Sequence, residues 1–471
     1  MAAGSSAFDR RAAGAIADLR LREAIDVATG RLRTARAEAM EAWPEAETVR
    51  DRARAIRADT IAHLDRHLPC FVRAVQAHGG VVHWADSADE AVWRVIQIAR
   101  EHGVRRVVKS KSMLSEEVGL NEALEAEGFH VVETDLGEFV VQLAGDRPSH
   151  IIAPIVHWSR QRVAALFERK LGASPEETRD VASLCALARR VLRDEFVAAD
   201  MGVSGVNFGV AETGTLCIVT NEGNGRMCTS LPRVHVALMG IERIVPTQDD
   251  LAVMLQVLAR SATGQKLSVY TSFVTGPRRR DEDDGPEALH VVLVDNGRSR
   301  VLGSRRAEIL YCIRCGACLN ACPVYRDVGG HAYGSVYSGP IGAVLTPALF
   351  GQDVWHALPH ASSLCGACRD VCPVRIDIPR MLLELRRDGV AEGRTALWVR
   401  AAMRLHGWLA VRPAAYRRAL GLARLAMRPR ARDGWIARLP GPLSGWTTSR
   451  DFPLPAPRSF TERWRARGPT S

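Results

Sequence analysis

The sequence predicts an α/β domain built on a largely parallel sheet, with helices before it and an α-helical, cysteine-rich module and a basic helical tail after it. Three observations carry that reading. Residues 80–298 alternate short β-branched runs with helical stretches, the pattern of strands joined by crossover helices. Seven of the 11 cysteines fall between positions 312 and 372, in two similar motifs. Residues 393–471 hold 16 Arg, no Lys and 3 acidic groups, whereas the rest of the chain holds 47 basic and 50 acidic ones. The formal charge of +10 therefore belongs to the tail, and no nucleic-acid-binding motif accompanies it. Hydrophobic residues at 47% and charged residues at 25% are ordinary for soluble folded domains, so disorder is not the default reading.

Residues 9–77 are rich in Ala, Arg, Leu and Glu, with apolar side chains at helical spacing. They predict a helical region over 1–79 that packs on the next domain. The α/β domain is expected over 80–304. Within it Val107-Val108, Phe129-His-Val-Val-Glu-Thr134, Glu138-Phe-Val-Val-Gln-Leu143, Thr215-Leu-Cys-Ile-Val-Thr220 and Leu289-His-Val-Val-Leu-Val294 read as strands. The last two close with turns at Asn221-Glu-Gly-Asn-Gly225 and Asp295-Asn-Gly297. Pro277-Arg-Arg-Arg-Asp-Glu-Asp-Asp-Gly285 reads as a solvated loop. The cysteine-rich module is expected over 305–389. There Pro340 suits the first turn of a helix. Asp377 can cap another helix, starting near Pro379 and carrying Met381, Leu382, Leu383 and Leu385. Residues 390–471 form the basic tail. No apolar stretch opens the chain as a signal peptide would, and no run of roughly 18 apolar residues could span a bilayer. The predicted location is the cytoplasm, where clustered cysteines are reduced and serve as metal ligands.

The first motif reads Cys312-Ile-Arg-Cys315-Gly-Ala-Cys318-Leu-Asn-Ala-Cys322-Pro323, the C-x2-C-x2-C-x3-C-P spacing of bacterial ferredoxins. Two-residue gaps let a chain wrap one iron–sulfur cube. Small Gly316 and Ala317 let the backbone approach its sulfides. The longer gap turns Cys322 toward a second cube. The second motif reads Cys365-Gly-Ala-Cys368-Arg-Asp-Val-Cys372-Pro373, and Ser362 stands where its leading cysteine would fall. Crossed ligation then assigns Cys312, Cys315, Cys318 and Cys372 to one [4Fe–4S] cluster. Cys322, Cys365 and Cys368 hold the other with only three thiolates. Its fourth corner goes to Ser362, to another group or to water, or is absent as in [3Fe–4S]. Zinc is the competing reading of paired C-x2-C spacings, but a zinc ion has no use for seven thiolates in two repeated registers. The 43 positions between Cys322 and Cys365 point to a helix-rich ferredoxin module, whose helix N-termini would raise the cluster potentials. Two such clusters relay single electrons, so a partner carrying flavin or another two-electron cofactor is implied.

These residues also carry a family resemblance. Cys-Ile-Arg-Cys-Gly-Ala-Cys at 312–318 and Ser-Leu-Cys-Gly-Ala-Cys at 363–368 resemble the ferredoxin module of the lactate-utilisation iron–sulfur protein B family, as does the three-plus-four cysteine count. Lys109-Ser-Lys-Ser-Met113, Glu116-Glu117, Glu133-Thr-Asp-Leu-Gly-Glu138, Pro148-Ser-His150 and Ala211-Glu-Thr-Gly-Thr215 look like that family's LUD domain. Ser459-Phe460 and Trp464 look like its tail. The resemblance implies a LUD fold related to sugar isomerases and CoA-transferases. It also implies a role in NAD-independent oxidation of L-lactate to pyruvate with two partner proteins, one itself a cysteine-rich iron–sulfur protein. Another 2-hydroxy acid such as glycolate is the nearest alternative. In a second alternative the LUD domain is the enzyme and the clusters serve it.

Weaker signals have plainer readings beside the functional ones. Asn221-Glu-Gly-Asn-Gly225 could hold a phosphate or carboxylate, and reads more simply as a turn using Gly for positive φ. Glu212 and Glu222 could line a pocket or simply face water. Lys109 and Lys111 could face an anion or form a surface pair. His150 and His157 could act in proton transfer, though lone histidines are usually satisfied hydrogen bonders. Cys70, Cys185, Cys217 and Cys228 lack metal spacing and read as small buried hydrophobes. In the tail, Trp398, Trp408 and Trp435 lie among Arg400, Arg404, Arg412, Arg417 and Arg418. That pattern suits an anionic membrane face, an acidic protein, or packing of one helix face on the ferredoxin module.

Overall fold

The computed structural model describes residues 7–148, 155, 157–448 and 450–467. They fall into two compact units, one running up to Asp388 and one from Gly389 onward.

Four helices open the larger unit: α1 (Ala7–Ala17), α2 (Leu19–Glu41), α3 (Ala46–Ala62) and α4 (Leu64–Ala77). Asp18 starts α2 by accepting from the Leu21 N–H at 3.0 Å. Ala53, Ile56 and Thr60 form the buried stripe of α3. Both α2 and α3 pack on the helix Gln248–Thr263, while α1 and α2 also pack on the helix Pro323–Val328 of the cysteine-rich region. One apolar core consequently runs from these helices to the cysteines.

Ten strands follow: β1 (Val81–Ala85), β2 (Arg106–Lys109), β3 (His130–Glu133), β4 (Met201–Gly205), β5 (Phe208–Val210), β6 (Leu216–Thr220), β7 (Val234–Gly240), β8 (Ile244–Val245), β9 (Tyr270–Val274) and β10 (Ala288–Val294). Six form an all-parallel sheet in the order β1-β10-β7-β4-β2-β3. Burial on both faces explains their near-continuous apolar sequences. Val234, Val236 and Leu238 of β7 face one core with Val292 and Val294, while Ala237 and Met239 face another with Val291 and Leu293. At the β2–β3 end, Val108 and Val132 join a third core with Phe167 and Leu187. Thr215–Thr220 does form a strand, but in a separate four-stranded mixed sheet ordered β8-β5-β6-β9.

The expected strand Glu138–Leu143 is instead part of the helix Leu136–Ala144. Asp135 caps it, accepting from the Gly137 and Glu138 N–H groups at 2.9 and 3.2 Å, and Gly145 ends it at φ 65°. Its apolar run Phe139-Val140-Val141 is buried under the next helix, with the Phe139 and Phe167 rings 6.2 Å apart. Capping and tertiary burial override the β-branched preference.

The smaller unit contains the helices Leu397–Ala410 and Pro413–Met427 and a short antiparallel pair, Trp435–Ile436 with Phe452–Pro453. Among the described residues, no helix is long and apolar enough to cross a membrane.

Candidate metal centre

The two cysteine motifs fold alike. Arg314 and Leu364 take φ of 60° and 56°, and the following Gly316 and Gly366 take 78° and 87°. Each glycine opens a single helical turn, Ala317–Asn320 or Ala367–Asp370. Positive φ at a non-glycine residue costs about 1–2 kcal/mol, so the loops are held in this shape rather than drifting into it. The correspondence extends to hydrogen bonds. The Arg314 N–H donates to Cys312 Sγ at 3.4 Å, and the Leu364 N–H donates to Ser362 Oγ at 3.1 Å. Ser362 thus has the local posture of Cys312. Tyr325 and Ile376 N–H groups donate to the sulfurs of Cys322 and Cys372 at 3.5 and 3.4 Å.

The fold brings the cysteines into two neighbouring sets. Cys312, Cys315, Cys318 and Cys372 line one cavity, walled otherwise by Ile313, Ile341, Val374, Ile376 and Ile378. Cys322, Cys365 and Cys368 lie within electrostatic reach of one another, and Cys318 is near Cys368 across the two sets. Burial pushes the Cys315 and Cys368 thiols up to about 12 and Cys372 to about 11. Thiols so buried become thiolates at neutral pH only against a cation. Bonds of about 2.3 Å to a single zinc would draw sulfurs to within about 4 Å of each other. Among the described residues, three donor atoms meet within 4.8 Å at Asp146, His157 and His331, and at no cysteine set. The donor set, seven thiols in two like-folded loops with backbone N–H groups donating to their sulfurs, fits iron–sulfur cages.

Sequence reasoning missed the cations that hold these loops. On α2 and α3, Arg36, Arg50 and Arg54 point at the second motif. Arg36 donates to the Val371 carbonyl at 2.8 Å, Arg50 to Cys372 at 2.9 Å and Arg54 to Arg375 at 2.6 Å. Arg57, fully buried, donates to the carbonyls of Ile244, Glu242 and Leu310 at 2.6, 2.5 and 2.9 Å. Residues 50, 54 and 57 share one face of α3, a charged stripe that in isolation reads as solvent-facing.

The weaker candidates separate. Lys109 is buried, with Glu133 at 2.7 Å and Ser115 at 2.8 Å, so it is not half of a surface pair. Burial raises its neighbour Glu116 to about 7 and lifts Glu138 as well. Glu212 accepts from the Gln248 N–H at 2.7 Å, a helix-capping role. Lys111, Asn221, Glu222 and Asn224 line a cavity at the carboxyl end of the parallel sheet. His157 pairs with Asp146 at 3.0 Å, and His150 lies outside the described residues. Cys217 and Cys228 are buried and Cys70 is half-buried. Cys185 is exposed, on the outward side of the helix Val181–Ala198, and is not a core residue.

Three family models match in succession: "LUD domain" over 68–294, "4Fe-4S dicluster domain" over 308–376, and "Lactate utilisation protein B, C-terminal" over 388–469. Lactate utilization protein B of Bacillus subtilis is 44% identical over 473 residues, covering 100% of this chain and 98% of its own. The chain belongs to the lactate utilization protein B family. Its relative from Bacillus velezensis is 44% identical over 99% of this chain and 98% of its own, and that from Oceanobacillus iheyensis 45% identical over 95% and 94%. A solved DUF162 family protein from Deinococcus radiodurans aligns with 15% identity and a TM-score of 0.28, covering 49% of this chain and 98% of that one.

Proposed function

We propose that this chain is the iron–sulfur electron-transfer subunit of an NAD-independent complex that oxidises L-lactate to pyruvate. The observation that carries this reading is the sorting of seven cysteines into two adjacent sets in a member of this family. Cys312, Cys315, Cys318 and Cys372 would hold one [4Fe–4S] cluster. Cys322, Cys365 and Cys368 would hold the second, its fourth corner taken by Ser362, another group or water, or absent as in [3Fe–4S]; the Leu364 N–H bond to Ser362 Oγ supports Ser362. When bound, the clusters supply one-electron transfer. The chain's own residues set its energetics. Arg36 and Arg50 place positive charge beside the first set, and the N–H···S bonds add to it. Both favour the more negative, reduced form and raise the potential.

In this reading residues 1–79 are helices packed on the LUD domain, 80–304 form that domain, related to isomerases and CoA-transferases, and 305–389 form the relay. The basic tail, 390–471, serves contact with a partner or an anionic membrane face. Substrate oxidation takes place in a cytoplasmic assembly with two other lactate-utilisation proteins, one cysteine-rich, and a flavin or similar carrier collects the electron pair.

Anaerobic purification followed by iron and sulfide analysis and EPR tests this. Roughly six to eight irons per chain, reduced by lactate only when the partners are present, is the expected result. A colourless zinc protein, or a deletion strain that grows normally on lactate but fails on glycolate, would overturn it.

A further inference from the structure

A cavity of about 320 Å³ lies at the carboxyl ends of the parallel strands. Ser112 follows β2, Asp135 follows β3, Val206 follows β4, Glu242 follows β7 and Arg298 follows β10, and all five line it. That end of an open α/β sheet is where such folds bind ligands, and the volume is that of a small-molecule site. Arg314 and Cys315 close the cavity from the cysteine-rich module and also wall the cysteine-lined cavity. The two spaces have these two residues as common wall.

The arginines around it meet their carboxylates unequally. Glu117 is consumed by Arg298, in a two-pronged pair at 2.9 Å on each arm, together with Asn296 and the Tyr337 hydroxyl. Glu242 is held by Arg298 at 2.7 Å, while Arg243 and Arg314 stand 3.7 Å from its other oxygen. Arg314 is 9% exposed, stacks over Tyr337 at 4.2 Å, and its Nη1 is buried without a hydrogen-bond partner among the described residues. Leaving a buried charged donor unsatisfied is unfavourable, and Arg fits the two oxygens of a carboxylate. Lys111, Glu222 and Asn224 give the same cavity both donors and acceptors.

We propose that this cavity binds a small 2-hydroxy or 2-oxo carboxylate, its carboxylate on Arg314 and Arg243 and its 2-oxygen on the wall formed by Lys111, Glu222 and Asn224. The choice of acid rests on the lactate-utilisation reading. The cavity is larger than a three-carbon acid, so water fills the remainder. Glu222 stands on the solvent-exposed side of the cavity, where partial burial and nearby Asp135 raise it. No electron transfer is assigned to the pocket itself.

The test uses the full chain, purified anaerobically with its iron, and equilibrium binding of L-lactate and pyruvate, with inorganic phosphate and AMP as comparison anions. One saturable equivalent of lactate or pyruvate is expected, with a change in the EPR signal of the cluster beside Cys315. Arg314→Gln should weaken binding at least tenfold, and Lys111→Met or Glu222→Gln should weaken it with iron content and cluster signal unchanged. The Lys111 and Glu222 variants stand apart from the cysteine loops, so they decide the matter if Arg314→Gln fails to load iron. Absence of saturable carboxylate binding at millimolar concentration, preference for phosphate or AMP, or undiminished binding in both wall variants would overturn the proposal. A chain with full iron and no carboxylate binding sinks the pocket and spares the relay. A chain without iron that still binds pyruvate does the reverse.

Discussion

At the scale of single residues, position in the chain matters less than which side chains a cysteine meets. Cys315 and Cys372 are 57 positions apart, yet they line one cavity with Cys312 and Cys318. Cys315→Ala should therefore remove roughly half the iron and one EPR signal while the second set survives, with metal analysis as the check. Arg298 is a structural counterpart. It is 2% exposed and holds Glu117 and Glu242, which burial alone would raise but which Arg298 and its neighbours pull down, Glu242 to about 2. A Cβ on Gly240 would lie 2.2 Å from Glu242 and 2.8 Å from Arg298, so only glycine leaves room for this pair. Arg298→Met strands two buried carboxylates and should cost about 3–5 kcal/mol in urea unfolding.

At the scale of elements, the ends of β2 and β3 crowd Lys109 against Glu116, Glu133 and Glu138. Burial first, with the nearby Glu133 charge adding to it, raises Glu116 to about 7. A carboxyl raised on folding favours the folded state at low pH and weakens it as pH climbs through the folded value. Glu116→Gln should accordingly raise the melting temperature above about pH 7 and have little effect near pH 5, which thermal denaturation across pH would read. Elements also mark what sequence could deliver. The cysteine loops were legible because ligand spacing is local, and β2, β3 and β10 because parallel strands are apolar on both faces; β7, equally apolar, was not read as a strand. The helix Leu136–Ala144 was not, since Phe139-Val140-Val141 is equally at home in a strand and its cap is a single Asp. The arginine face of α3 was not legible either, because its carbonyl partners lie between 185 and 322 positions away.

At the scale of the whole molecule, the sheet and the cysteine-rich module share one core, so a defect in either is felt in both. His235 lies in the middle of the sheet, fully buried on β7, with Nε2 2.8 Å from Ser204 Oγ on β4. Burial, with His290 nearby, lowers it to about 4. The folded chain keeps this ring neutral, so its stabilising contribution is complete above about pH 6.5 and lost as pH falls toward 4, on the order of 3 kcal/mol. Acid unfolding should take the cysteine-rich module down together with the sheet, and His235→Asn should flatten the acid limb. Circular dichroism and the visible absorbance of the clusters, followed together, would read both.

Cys365 is exposed, whereas the other six cysteines of the two motifs are buried or half-buried. In the proposed relay, air therefore meets the set that holds Cys365 first. Damage should begin at Cys365, so an aged preparation would lose one of the two proposed colour centres before the other. A cell briefly exposed to oxygen would then need to repair the near end of this wire more often than it rebuilds the whole.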